Sequence, residues 1–191
     1  MPRKTDSPQT RTLTPFPLER AFTFVESGPL ILVTTRHKRR KNVLALSWHM
    51  SLGLEPTIAL TLGPWNYSFE AIVETGECVV AVPSVEMVKT AIAIGNCSGC
   101  DVDKFKTFGL STQRASLVKA PLLADCYRNL ECRVEHWIKK YSIFIVRGVK
   151  AWQNPNLLEA RPIHSNGDGT FPIEGDAVNL RYLMTKWQDS I

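Results

Sequence analysis

The chain has 191 residues, of which 44% are hydrophobic and 21% charged, and 23 basic against 18 acidic side chains leave a net charge of +5. That length suits one domain with a substantial core, and the composition excludes wholesale disorder. The apolar run Leu30-Ile31-Leu32-Val33 is far too short to span a bilayer, and the polar, basic stretch from Met1 to Thr12 has no apolar centre of a secretory signal. A cytoplasmic protein without a membrane partner is expected, with residues 1–14 as a flexible arm and 15–191 as a single domain.

In chain order, Pro17, Leu18, Ala21, Phe22 and Val25 predict a short amphipathic helix with the proline in its first turn, ending at Ser27-Gly28-Pro29. Leu30 to Thr35 reads as a buried, β-branched strand. A second strand is expected from Asn42 to Ser51. The two-residue period puts Asn42, Leu44, Leu46, Trp48 and Met50 on one face of it, and Val43, Ala45, Ser47, His49 and Ser51 on the other. A turn over Gly53 to Pro56 leads to a third strand, Thr57 to Leu62, and Ser68 is placed to cap a helix that stops at Gly76. Cys78 to Val82 is a fourth strand and Val85 to Ile94 a second helix, followed by a loop from Asn96 to Gly109. Leu130 to Ile138 and Tyr141 to Trp152 predict a long hairpin through Lys139-Lys140. Asn154 to Gly175 is irregular, and Ala177 to Trp187 is expected to close the chain as a helix. Many strands separated by short helices indicate a barrel rather than a doubly wound parallel sheet.

Much of the excess charge sits in His37-Lys38-Arg39-Arg40-Lys41, between two strands, where it reads as a solvated turn. A basic patch alone supplies only non-specific attraction, and no helix-turn-helix or stacking-aromatic pattern accompanies it, so nucleic acid is not an expected partner. The run could instead draw an anionic dinucleotide to a nearby site. Five cysteines in a chain without a secretory signal imply reduced thiols. Cys97-Ser98-Gly99-Cys100 admits three readings: a redox pair, half of a metal site, or two incidental thiols. No second Cys or His pair stands at zinc spacing, so no metal is assigned.

Four local patterns carry a family resemblance. They are Asn42 through Met50 with Ser51 and Glu55-Pro56; Asn66-Tyr67-Ser68; Gly95, Ser98-Gly99 and Asp103-Lys104-Phe105; and Ala120-Pro121-Leu122 with Leu130-Glu131-Cys132. In this order and spacing the chain resembles the flavin reductase-like family, in particular its flavoredoxin branch, from about Phe16 to Val149 with a weaker echo over Arg161 to Phe171. The resemblance implies a mainly β fold with short helices, a split β-barrel that binds FMN and works as a homodimer. Ser68, with its neighbouring helix N-terminus, and Lys104 are implied at the FMN phosphate, with the Ser98-Gly99 backbone beside them. Ser47, Trp48, His49 and Met50 are implied around the ring, with contributions from Asn42, Tyr67 and Phe171.

The residues also admit plainer roles: Ser68 as an N-cap, Lys104 as a loop lysine, Trp48 as a core aromatic, and His49 as a surface or interface histidine. The chain departs from the family pattern at Lys140-Tyr141-Ser142, where the family often carries Asp-His. The expected function is an FMN-dependent oxidoreductase that takes hydride from NADH or NADPH and passes electrons to an unidentified acceptor. The alternative is a non-enzymatic FMN electron-transfer protein. Hydride chemistry belongs to the cofactor, so no catalytic acid or base is assigned. No Gly-rich dinucleotide fingerprint follows a strand, and a nicotinamide would have to bind an open face of the flavin pocket.

Overall fold

The computed structural model describes residues 12–157 and 159–180. In chain order the described elements are β1 (Thr14–Phe16), a 3-10 helix (Leu18–Phe24), β2 (Ile31–His37), β3 (Arg40–Leu46), β4 (His49–Ser51), β5 (Thr57–Thr61) and α1 (Phe69–Thr75). They continue with β6 (Glu77–Val82), α2 (Val88–Gly95), α3 (Lys104–Thr107), β7 (Thr112–Gln113), β8 (Leu122–Leu123), β9 (Arg128–Ile138) and β10 (Ile143–Gln153). Leu13 is buried and Thr14 pairs with Gln153, so both belong to the folded body rather than to the expected arm, whose first eleven residues lie outside the described ones. Residues 177–180 are not helical, and the rest of the expected closing helix lies outside the described residues.

The main sheet is antiparallel and runs β3-β2-β6-β9-β10-β5-β4, with β1 added to β10. Its two ends, β3 and β4, are consecutive in the chain, so the short link Ser47-Trp48 joins opposite edges and curls the sheet into a barrel. The strand expected over Asn42 to Ser51 is therefore two strands. β3 pairs with β2, in register from Ile31 opposite Leu46 to His37 opposite Arg40. β4 pairs instead with β5, His49 opposite Leu60. Beyond the break the period-two face assignment no longer holds, and Trp48 and Met50 stand 62% and 59% exposed instead of joining Leu44 and Leu46 inside. Curvature is helped by register shifts along β10 beside Gly148, where a Cβ would lie 2.7 Å from the Leu130 side chain.

Of three apolar clusters among the described residues, alternation builds two back to back. Ile31, Val33, Leu44, Leu46, Leu60, Val80, Leu130 and Phe144 fill the barrel. Leu32, Val43 and Ala81, on the opposite faces of the same strands, pack beneath Ala91 and Ile94 of α2 and Phe105 of α3. Because β2 is covered on both sides, its residues Ile31 to Thr35 are buried without interruption, the first three of them apolar. The segment expected as loop between Asn96 and Gly109 contains α3, started by Asp103, whose Oδ1 accepts the N–H groups of Phe105 (3.0 Å) and Lys106 (3.2 Å). Among the described residues no helix is long and apolar enough to cross a membrane.

Candidate functional site

At the open end of the barrel, the register of β2 and β3 sets Thr35 opposite Asn42. Asn42 Nδ2 donates to Ser68 Oγ at 2.8 Å, and Thr35 Oγ1 donates to the same oxygen at 3.2 Å. All three residues are buried. Ser68 does precede α1, but its side chain makes no capping bond; the hydroxyl is committed to the strand pair instead. Two strands and one helix are thereby pinned at a single point.

The Ser98-Gly99 loop is seated on this cluster. A Cβ at Gly99 would overlap the Asn42 amide and stand 2.7 Å from a Tyr67 ring carbon, so only glycine allows the backbone this close. Ser98 folds the loop: its Oγ accepts from Cys100 N at 3.1 Å, and its carbonyl accepts from Asp101 N and Val102 N, each at 3.2 Å. The Tyr67 hydroxyl accepts from Arg40 Nη1 at 3.0 Å. Beside these groups lies a cavity of about 550 Å³, lined by Thr35, His37, Lys38, Arg39, Arg40, Asn42, Tyr67, Glu70 and Ala71. The basic turn, read from sequence as solvated or as drawing an anionic dinucleotide to a nearby site, forms the rim of this cavity. Arg40, not singled out from sequence, shares the face of Asn42 by the two-residue period of β3.

Lys104 lies behind the loop, turned inward at the start of α3 and only 5% exposed. Its Nζ donates to the Ile94 carbonyl in the last turn of α2 at 2.8 Å, a favourable place for a cation. Burial pushes the ammonium below the usual lysine range. Among the described residues no carboxylate stands within ion-pair distance of it. A buried cation with one neutral acceptor is unfavourable unless a counter-charge arrives.

The remaining expected residues form a second group at the strand break. The Ser47 carbonyl accepts from His49 N at 3.2 Å, and the Trp48 carbonyl accepts from Thr61 N at 2.9 Å. His49 Nε2 lies 2.6 Å from the Pro29 carbonyl, and since a carbonyl only accepts, this nitrogen carries the proton. That leaves Nδ1 as an acceptor, buried and without a partner among the described residues, and burial lowers the imidazole pKa. Trp48 and Met50 are exposed together with Leu52, Leu54 and Trp65. Phe171 is half-buried in the loop that His164 N closes onto the Pro172 carbonyl at 2.8 Å; no described contact joins it to Asn42 or Ser68. Tyr141, at the departure from the family pattern, is 59% exposed, and Ser142 turns the hairpin at a φ of 53°. The structure thus gathers Asn42, Tyr67, Ser68, Ser98, Gly99 and Lys104 around one loop, and groups Ser47, Trp48, His49 and Met50 at the barrel seam.

Comparison with known proteins is consistent with this geometry. A family model described as a flavin reductase like domain matches residues 26–170. Among curated proteins, the uncharacterized protein YddH of Escherichia coli (strain K12) is 29% identical over 124 residues, 63% of this chain and 66% of that one. An uncharacterized protein of Archaeoglobus fulgidus is 34% identical over 96 residues, 50% of this chain and 54% of that one. The match therefore spans about half to two thirds of these relatives. Among solved structures, an FMN-binding domain of a flavin reductases-like enzyme from Shewanella baltica superposes with a TM-score of 0.81 at 23% identity, covering 88% of this chain and 97% of that one. Flavoredoxin of Desulfovibrio vulgaris (Miyazaki F) gives a TM-score of 0.73 at 24% identity, covering 80% and 89%. At these identities the likeness establishes the fold: mainly β with short helices, in a split barrel.

Proposed function

The chain belongs to the flavin reductase-like domain family, and from that premise we propose that it binds FMN and acts as an oxidoreductase, taking hydride from NADH or NADPH and passing electrons to an acceptor. The observation that carries the reading is Lys104, a buried ammonium lacking a carboxylate partner among the described residues, placed behind the Ser98-Gly99 loop. FMN brings a dianionic phosphate, and a phosphate on this loop would supply the missing counter-charge to Lys104, with Arg40 on the cavity side. A cavity of about 550 Å³ is within the range of small-molecule sites.

In this arrangement Asn42, Tyr67 and Ser68 hold the loop and strands in place, and the Ser98-Gly99 backbone approaches the phosphate as closely as glycine permits. Ser47, Trp48, His49 and Met50, with Phe171, border the ring. His49 Nδ1 offers an acceptor that already lacks a donor. Bound flavin supplies the hydride and electron-transfer chemistry. This chain's residues bind and orient it, and the basic turn at the rim draws in an anionic nicotinamide dinucleotide.

We further propose a homodimer in which a second copy covers the exposed Trp48, Met50, Leu52, Leu54 and Trp65. A stable interface buries roughly 1,600 Å²; sedimentation showing only a 21.5 kDa species at micromolar concentration would exclude it. The five free cysteines suit the reducing cytoplasm. The deciding experiment for the activity is anaerobic stopped-flow mixing of the yellow holoprotein with NADH and with NADPH. Rapid loss of flavin absorbance with either supports the reductase. Reduction by neither points to a carrier reduced by another protein, and a purified protein that takes up no FMN removes the flavin reading.

A further inference from the structure

The five cysteines divide into two kinds. Cys78, Cys126 and Cys132 are fully buried, and burial pushes the Cys126 and Cys132 thiols far above the ordinary range. Such thiols are inert packing groups. Cys97 is half-buried and Cys100 exposed, and they lie three residues apart in the loop seated on Asn42 and Tyr67.

Helix α2 ends at Gly95, and the chain turns so that Cys97 Sγ rests on the last helical turn, 3.5 Å from the Ala93 carbonyl and 3.8 Å from that of Ile94. Lys104 Nζ donates to that same Ile94 oxygen, which places an ammonium beside the Cys97 sulfur. Cys100 is held by its N–H, which donates to Ser98 Oγ at 3.1 Å in the turn that Ser98 closes. The thiolate is the form that attacks disulfides, and exposed Cys100 is the thiol of the pair that a substrate reaches. Among the described residues no third ligand joins the pair to make a metal site.

We propose that Cys97 and Cys100 are a dithiol–disulfide exchange site whose substrates are low-molecular-weight disulfides. Exposed Cys100 attacks first. Its thiolate forms a bond to one sulfur of the substrate, the substrate S–S bond breaks, and the departing thiolate takes up the proton that Cys100 released. Cys97 then attacks the Cys100 sulfur, expels the second substrate thiolate with the Cys97 proton, and closes a Cys97–Cys100 bond. Two electrons and two protons pass from protein to substrate, and an added dithiol, itself oxidised to a disulfide, returns the protein to its dithiol form. For the second step Cys97 leaves two long, weak sulfur contacts with the end of α2.

The test uses the full chain, reduced, freed of reductant and incubated with glutathione disulfide, then alkylated and mapped by mass spectrometry. The expected product is an intramolecular bond between residues 97 and 100, without a lasting glutathione adduct, reversed by dithiothreitol. Cys97→Ser should instead accumulate the adduct on Cys100, and Cys100→Ser should react about tenfold more slowly than Cys97→Ser. A native protein whose two thiols remain alkylatable, or a stable adduct in the unmutated chain, overturns the proposal without recourse to any variant. Flavin enters none of these readouts, so a failure of FMN binding and a failure of the exchange site are separately visible.

Discussion

Replacing Lys104 by Met tests the flavin site at its centre, because it keeps the length of the side chain and removes only the charge. The ammonium is 5% exposed, its one described acceptor is the Ile94 carbonyl, and burial already lowers its pKa. In the apoprotein the substitution forfeits that hydrogen bond, about 1.5–3 kcal/mol for a charged donor, but also relieves the cost of burying an uncompensated charge. The two nearly offset, and urea unfolding of the apoprotein should shift by no more than about 1 kcal/mol. With FMN the balance differs, since a charge-assisted bond to phosphate is lost with nothing returned. At about 1.5–3 kcal/mol, FMN affinity should fall roughly 10- to 150-fold. Riboflavin lacks the phosphate, and its affinity should stay within about twofold. Fluorescence titration of the apoprotein with each flavin reads the contrast directly. Equal losses for both flavins, or no loss for either, would show that Lys104 serves only to fasten the end of α2.

Two further outcomes follow from buried groups away from the loop. Glu131 is fully buried; its Oε1 accepts from Ser116 N and Trp152 Nε1, and its Oε2 from Leu117 N and Val118 N, at 2.6–3.1 Å. Glu131→Gln turns an amide NH₂ against two N–H donors, and equilibrium unfolding should show a loss of about 3 kcal/mol; a change below about 1 kcal/mol would contradict this role. For His49 the folded pKa is lowered by burial, partly opposed by the Pro29 carbonyl. Its contribution is therefore complete above the unfolded value of about 6.5 and declines as pH falls below it, where the unfolded chain takes a proton that the folded one resists. The stability difference between about pH 7.5 and pH 5.5 should shrink in His49→Gln, which retains an N–H donor for Pro29; an unchanged pH dependence would mean that His49 does not supply it.

Period and local chemistry singled out several of the residues that the fold brings together around the Ser98-Gly99 loop. The two-residue alternation put Asn42 with Leu44 and Leu46, and all three do face one core or its open end. The same alternation carried Arg40 to that face, although its place in a charged turn made it read as solvated. Asp103 before Lys104-Phe105 held the signal for α3, an acidic cap with an apolar residue to anchor, within a stretch otherwise rich in loop residues. The alternation failed at Ser47 because strand pairing there changes partner, from β2 to β5. A period describes which way side chains point within a strand and carries no information about which strand lies alongside.

The sequence by itself determined most of the longer strands, several turns between them, their apolar faces and the small residue at Gly99, since each depends on neighbours a few positions away. Only the tertiary structure decided that the hydroxyl of Ser68 would bond to Asn42 and Thr35 instead of capping α1, that Lys104 would be buried against Ile94, and that Cys97 would share the Ile94 carbonyl with it. The side-chain bonds of Ser68 and Lys104 join residues 10 to 33 positions apart. They arise because the barrel closes through β3 and β4 and α2, α3 and their connecting loop pack on the outer face of β2 and β3, where each buried polar group takes the partner that packing brings within reach.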